Sequence, residues 1–200
     1  MKNIPFTKPY VDETIISAVS DCLESRWITT GNKVIELQTW IEDNFHVKKS
    51  FCVNSWTNGA KLVLDWFGVG PGDEVIVPVM TYAASANVVE HCGATVVFVD
   101  IGDDLNIDVT KIFDAITPKT KVILPVDMRG VSCDYDKLLE IINLKEIISQ
   151  FCPVTQVQKD LGRILLLSDA AHSIGATYKD RFSCNYSDVT IFSLHAVKNI

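Results

Sequence analysis

The chain has 200 residues, 48% hydrophobic and 22% charged, which describes a globular protein with enough apolar mass for a core. Its net charge of -7 argues against a general nucleic-acid binder, which needs clustered Lys and Arg, though it leaves room for a local anion pocket. The first residues lack the apolar stretch of a signal peptide, and no apolar run approaches the roughly 20 residues of a membrane span, so a cytoplasmic protein with no membrane partner is expected.

Apolar residues recur at helical spacing in VDETIISAVSDCLESRW (Val11, Ile15, Ile16, Val19, Leu23) and in NKVIELQTWIEDNFH (Val34, Leu37, Trp40, Ile41, Phe45). They predict an N-terminal helical segment over residues 1–48. SFCVNS then predicts a short strand, and TNGAKLVLDWFG a helix ending at Gly68. GPGDEVIVP reads as a turn and strand, TYAASANVVEHCG as a helix stopped by Gly93, and TVVFVD as a buried strand. DVTKIFDAI is a short helix, TKVILPVD a strand and DYDKLLEIINL a helix. LKEIISQFCPVTQVQKDLGR is long for a connection and reads as an excursion or extra short helix on the surface. RILLLSD and DVTIFSL close the series as strands.

This alternation, with strands apolar throughout, predicts an α/β fold: a mostly parallel sheet with helices on both faces. Ligands in such sheets bind beyond the carboxyl ends of the strands, and Ser55, Asp127, Asp169 and Ser193 fall at predicted strand ends. The six cysteines (Cys22, Cys52, Cys92, Cys133, Cys152 and Cys184) form no CxxC pair, which argues against a zinc ribbon or redox motif. They are expected to be reduced and mostly buried.

Several residues carry chemistry of their own. A helix opening near Thr57 presents unpaired amides that bind a phosphate, although Ser and Thr before helices are ordinarily plain caps. Tyr82, just after a strand, offers an aromatic face to a flat ring or to ordinary packing. Asp169 closes an apolar strand, where a buried carboxylate needs a cation or donors. A protonated ring nitrogen suits it, as does a salt bridge or a cap. His172, three residues on, reads as a site group or a structural histidine. Lys198 follows the run VTIFSL. In a partly desolvated site its amine is a nucleophile toward carbonyls, and otherwise it is a solvated cation.

In order along the chain, WITTGNKVIELQ, NSWTNGAKL, GVGPGDEVIVPVMTYAASANVV, GATVVFVDI, ITPKTKVILPVDMRG, SDAAHSIGATYKDR and FSLHAVKN resemble segments of the DegT/DnrJ/EryC1/StrS family. These are fold-type-I sugar aminotransferases that depend on pyridoxal phosphate. The resemblance implies that Lys198 forms the Schiff base with the cofactor and shuttles the proton. It implies that Asp169 pairs with the pyridine nitrogen and Tyr82 stacks on the ring. His172 then lies near the phenolic oxygen, and Thr57, the backbone of Asn58 and Ser193 hold the phosphate. It implies an amino-acid donor, usually glutamate, a nucleotide-linked keto sugar as acceptor, and a homodimeric full-length enzyme serving surface polysaccharide or glycan synthesis. The lysine argues against the dehydratase branch, which has a histidine there.

Two residues depart from the family pattern: Trp56 stands where a glycine is usual, and His172 where glutamine is common. Family members also continue past the lysine into further strands and a C-terminal small domain. The resemblance therefore implies that residues 1–200 form an incomplete cofactor-binding large domain without the small domain. A catalytically silent cofactor-binding or assembly fragment is the alternative. The absence of GxGxxG and GxxxxGK[ST] counts against an unrelated nucleotide-binding domain.

Overall fold

The computed structural model describes residues 8–198. Residues 1–7 of the predicted helical segment, with Asn199 and Ile200, lie outside the described residues. The chain divides into one unit of residues 8–52 with 194–198 and a second, Val53–Ser193.

The first unit contains α1 (Glu13–Glu24) and α2 (Asn32–Phe45). Asp12 caps α1, accepting the Ile15 amide at 3.0 Å. The apolar stripe read from the sequence is present on α1, yet none of its residues is buried. Ser50 folds back on α2, donating its amide to Glu42 Oε1 at 3.0 Å and its hydroxyl to the Gln38 carbonyl at 2.8 Å. The strand predicted for SFCVNS is therefore not formed. Ser50 is held by α2, residues 51–54 join no ladder, and Phe51 is exposed.

The second unit opens with α3 (Trp56–Phe67), β1 (Glu74–Pro78), α4 (Ala84–His91) and β2 (Thr95–Val99). It continues through α5 (Ile112–Ala115), β3 (Thr120–Ile123), α6 (Tyr135–Ile142), α7 (Lys145–Gln150) and α8 (Gln156–Leu161). It closes with β4 (Leu165–Ala170), a two-residue-per-strand hairpin of β5 (Thr177–Tyr178) and β6 (Arg181–Phe182), and β7 (Val189–Phe192). Five strands form one parallel sheet in the order β2-β1-β3-β4-β7. Val75 to Pro78 of β1 and every residue of β4 are buried, and because their side chains alternate between faces, both faces of the sheet are covered. The chain runs from β1 outward to β2, then returns to place β3 on the other side of β1. The carboxyl ends of β1 and β3 thus flank the reversal of strand order, the usual ligand position in open α/β sheets.

Three sequence expectations need correction. TVVFVD forms β2, but it pairs only with β1 at the sheet edge, and Phe98 is 55% exposed. The 144–163 segment forms two short helices, α7 and α8, in line with the short-helix alternative, but it is anchored in the core rather than only lying on the surface, burying Ile147, Phe151 and Gln158. Gln158 donates to the Phe67 carbonyl and accepts the Val154 amide, both at 2.8 Å, and the buried Lys121 donates to the Cys152 carbonyl. The six thiols are all free, but only Cys133 and Cys184 are buried. Among the described residues no helix is long and apolar enough to cross a membrane.

Candidate functional site

Asp169 is the penultimate residue of β4 and only 4% exposed. A carboxylate buried this deeply needs donors. Ser85 Oγ donates to Asp169 Oδ2 at 3.1 Å, and the Ala171 amide donates to Oδ1 at 3.1 Å. Ser85, fully buried in the first turn of α4, also shares a hydrogen bond of 2.8 Å with Thr81 Oγ1. The Ser85 amide donates to the Tyr82 carbonyl at 3.0 Å. Tyr82 itself, between these two hydroxyls, turns its ring outward and is 79% exposed.

The segment after β3 braces the end of β4. The Asp127 amide donates to the Asp169 carbonyl at 3.0 Å, and the Arg129 amide approaches His172 Nδ1 at 3.4 Å. A Cβ on Gly130, where φ is +82°, would lie 3.1 Å from the His172 carbonyl oxygen, so glycine suits both the backbone and the close approach. Asp127 is a second buried carboxyl group. It accepts the Cys133 amide at 3.0 Å, the Tyr135 hydroxyl at 2.9 Å and the Ser173 hydroxyl at 2.8 Å. Tyr135 also bonds Ser168 Oγ at 2.6 Å. Burial pushes the Asp127 carboxyl above the ordinary carboxylate range, partly offset by these donors. Burial likewise drives the Tyr135 hydroxyl and the Cys133 thiol well upward.

Thr57 and Asn58 lie in the first turn of α3, whose cap, Ser55, accepts the Asn58 amide at 3.1 Å. The amides of Trp56 and Thr57 have no intrahelical partner, and the helix end carries partial positive charge. Trp56 packs half-buried against the core, with Nε1 buried and without a hydrogen-bond partner among the described residues. A Cβ on Gly59 would lie 3.1 Å from Val53 Cγ2 and 3.5 Å from Ile191 Cγ2, so this turn sits close against β7. Ser193 follows β7 directly, and β7 is in register with the end of β4, Ile191 opposite Asp169.

The second unit contains Thr57, Asn58, Tyr82, Asp169, His172 and Ser193: Thr57 and Asn58 open α3, Tyr82 lies between β1 and α4, Asp169 and His172 lie at and just after the end of β4, and Ser193 follows β7. Lys198 belongs to the first unit, where its amide donates to the His195 carbonyl at 2.8 Å. Sequence reasoning missed Thr81 and Ser85, and it gave Asp127 a place but no partners. The only local signal was a pair of hydroxyl residues four apart flanking Tyr82.

The model of the DegT/DnrJ/EryC1/StrS aminotransferase family matches residues 9–200. The chain is 37% identical over 198 residues to the spore coat polysaccharide biosynthesis protein SpsC of Bacillus subtilis, covering 98% of this chain and 46% of that protein. It is 39% identical over 201 residues to the UDP-4-amino-4-deoxy-L-arabinose–oxoglutarate aminotransferase of Shewanella sediminis, with the same coverage of 98% and 46%. Among solved structures, it resembles the PLP form of Spr1654 from Streptococcus pneumoniae, a protein assigned provisionally to the sugar aminotransferases. That match has a TM-score of 0.95 and 46% identity, covering 100% of this chain and 50% of the other. The chain thus spans about half the length of the curated relatives it matches.

Proposed function

The chain belongs to the DegT/DnrJ/EryC1/StrS aminotransferase family, and from that premise we propose that it binds pyridoxal phosphate and serves amino transfer from an amino acid such as glutamate to a keto group on a nucleotide-linked sugar. The observation that carries the reading is a buried carboxylate, Asp169, at the carboxyl end of a parallel strand and tied through Ser85 to the turn bearing the exposed Tyr82. This donor set fits the cofactor: a carboxylate for the ring nitrogen, an aromatic face, and a helix start with nearby hydroxyls for the phosphate. A relative with oxoglutarate in its name and another in polysaccharide synthesis support the donor and the pathway class.

Pyridoxal phosphate, when bound, supplies a ring that accepts electrons from the carbon losing its proton. Asp169 holds a proton on the ring nitrogen. Tyr82 orients the ring, and His172 offers its imidazole to the phenolic oxygen. The first amides of α3, the Thr57 hydroxyl, the backbone of Asn58 and the Ser193 hydroxyl bind the phosphate. Lys198 would supply the amine that bonds the cofactor, and once the incoming donor amine has displaced it, its free Nζ would take the proton from the donor carbon and pass it to the cofactor. The full-length enzyme acts as a homodimer in the cytoplasm.

The test is an absorbance titration with pyridoxal phosphate, followed by borohydride reduction and peptide mapping. A cofactor adduct on Lys198 supports the reading, and bleaching of the band by glutamate supports the first half of the transfer. An adduct on other lysines with Lys198 unmodified would sink it. Cofactor binding without any response to glutamate and a keto sugar would favour a silent binding module.

A further inference from the structure

We propose that Ser85 is a positioning residue for Asp169, and that its hydroxyl, oriented by Thr81, locks the Asp169 carboxylate to the turn that carries Tyr82. The inference rests on the reading of Asp169 and Tyr82 as cofactor contacts. It adds residues to which no role has been given.

The direction of the relay follows from donor chemistry. An ionised carboxylate only accepts, so the single Ser85 proton goes to Asp169 Oδ2 across 3.1 Å. Ser85 Oγ then accepts from Thr81 Oγ1 across 2.8 Å. Ser85 is 0% exposed, so water does not compete for its bond to Asp169, while the bond to Thr81 is half-buried.

A bland reading would have Ser and Thr at a helix start serving as caps. Here the cap position of α4 is Ala83, no side-chain cap bond is made, and the Ser85 hydroxyl instead reaches a residue 84 positions away. Tyr82 lies inside the same turn, with its carbonyl held by the Ser85 amide at 3.0 Å. One buried hydroxyl thereby fixes the group assigned to the ring nitrogen relative to the group assigned to the ring face.

The test uses the 200-residue chain and two readouts. The first is a double-mutant cycle in urea unfolding, with Ser85→Ala, Asp169→Ala and the double variant. A coupling of about tenfold or more in the unfolding equilibrium constant is expected, the worth of a hydrogen bond to a charged group. Where Asp169→Ala does not fold, a cycle of Ser85→Ala with Thr81→Val reads the same relay. Thr81→Val should then cost stability in the parent and little in the Ser85→Ala background.

The second readout is pyridoxal phosphate affinity by absorbance titration. Ser85→Ala should weaken it about tenfold, and Ser85→Thr should restore it, since each such hydrogen bond is worth that order. Ser183→Ala serves as the control: Ser183 is also buried but bonds Ser132 and the Ala176 carbonyl, so its loss should leave affinity unchanged. Absence of coupling in either cycle overturns the proposal. So does unchanged affinity in Ser85→Ala, or an equal loss in Ser183→Ala. If the parent chain binds no pyridoxal phosphate, the functional reading of this chain fails, and the cycles alone decide whether Ser85 positions Asp169.

Discussion

Asp127 is the sharpest place to perturb the fold beneath the candidate site. It is fully buried, and its two oxygens collect three donors: the Cys133 amide, the Tyr135 hydroxyl and the Ser173 hydroxyl. Asp127→Ala strands the Cys133 amide and the Ser173 hydroxyl, and leaves the Tyr135 hydroxyl only Ser168 Oγ. At about 1–3 kcal/mol for each buried donor left without a partner, and with some relaxation, the expected loss is about 3–5 kcal/mol. Asp127→Asn behaves differently. Its oxygen still accepts from Cys133 and Tyr135, and its NH2 donates to Ser173, whose hydroxyl rotates to accept. A protonated Asp127 presents the same pattern.

The two variants also separate in pH dependence. Burial raises the folded-state value of Asp127 above that of the unfolded chain, so the folded protein holds this proton more tightly. The stability it contributes is complete below the unfolded value of about 3.9 and is lost as pH rises through the folded value. Urea unfolding of parent and Asp127→Asn between about pH 4 and 8 should therefore show a downward slope in the parent that is reduced in the variant. Equal slopes would refute the role given to burial. A loss below about 1 kcal/mol in Asp127→Ala would refute the network as a brace.

Other perturbations test separate parts of the fold and site. Gly68→Ala should destabilise by about 1–3 kcal/mol in thermal or urea unfolding, because φ there is +84° and the new Cβ would lie 2.3 Å from Thr155 Cγ2. Gln158→Ala should cost about 1–3 kcal/mol, since it strands the Val154 amide, now paired at 2.8 Å, while the Phe67 carbonyl loses its 2.8 Å bond but keeps the Thr155 hydroxyl at 3.1 Å. Asp188→Ala should cost about 1–3 kcal/mol, because the carboxylate receives two Arg163 bonds of 2.8 Å and the Leu166 amide at 2.9 Å. Lys198→Arg should keep a positive charge but abolish covalent trapping of pyridoxal phosphate by borohydride, read by mass spectrometry.

What could be read in the sequence was whatever depends on near neighbours. The helix of TNGAKLVLDWFG ends at Gly68 because a left-handed residue stops it, and that signal is local. The apolar runs of β1 and β4 told their burial directly, because a strand covered on both faces need not alternate with polar residues, whereas β3 also buries Thr120 and Lys121. SFCVNS carried the same kind of signal and failed, since a strand exists only where a ladder partner exists, and Ser50 is bonded to α2 instead. The hairpin of β5 and β6, two residues a side, is too short for any period to register. The site divides in the same way. The resemblance supplied Thr57, Tyr82, Asp169, His172, Ser193 and Lys198 as an ordered set, each beside its motif. It could not supply Ser85 as the partner of Asp169, because that bond spans 84 residues and depends on α4 and β4 meeting. Nor could it join Asp127 to Ser173, 46 residues away. Periodicity finds surfaces that exclude water, but a buried polar bond is a relation between two places in the chain. The hydroxyls that hold the chemical groups in place therefore appear only once the sheet has been assembled.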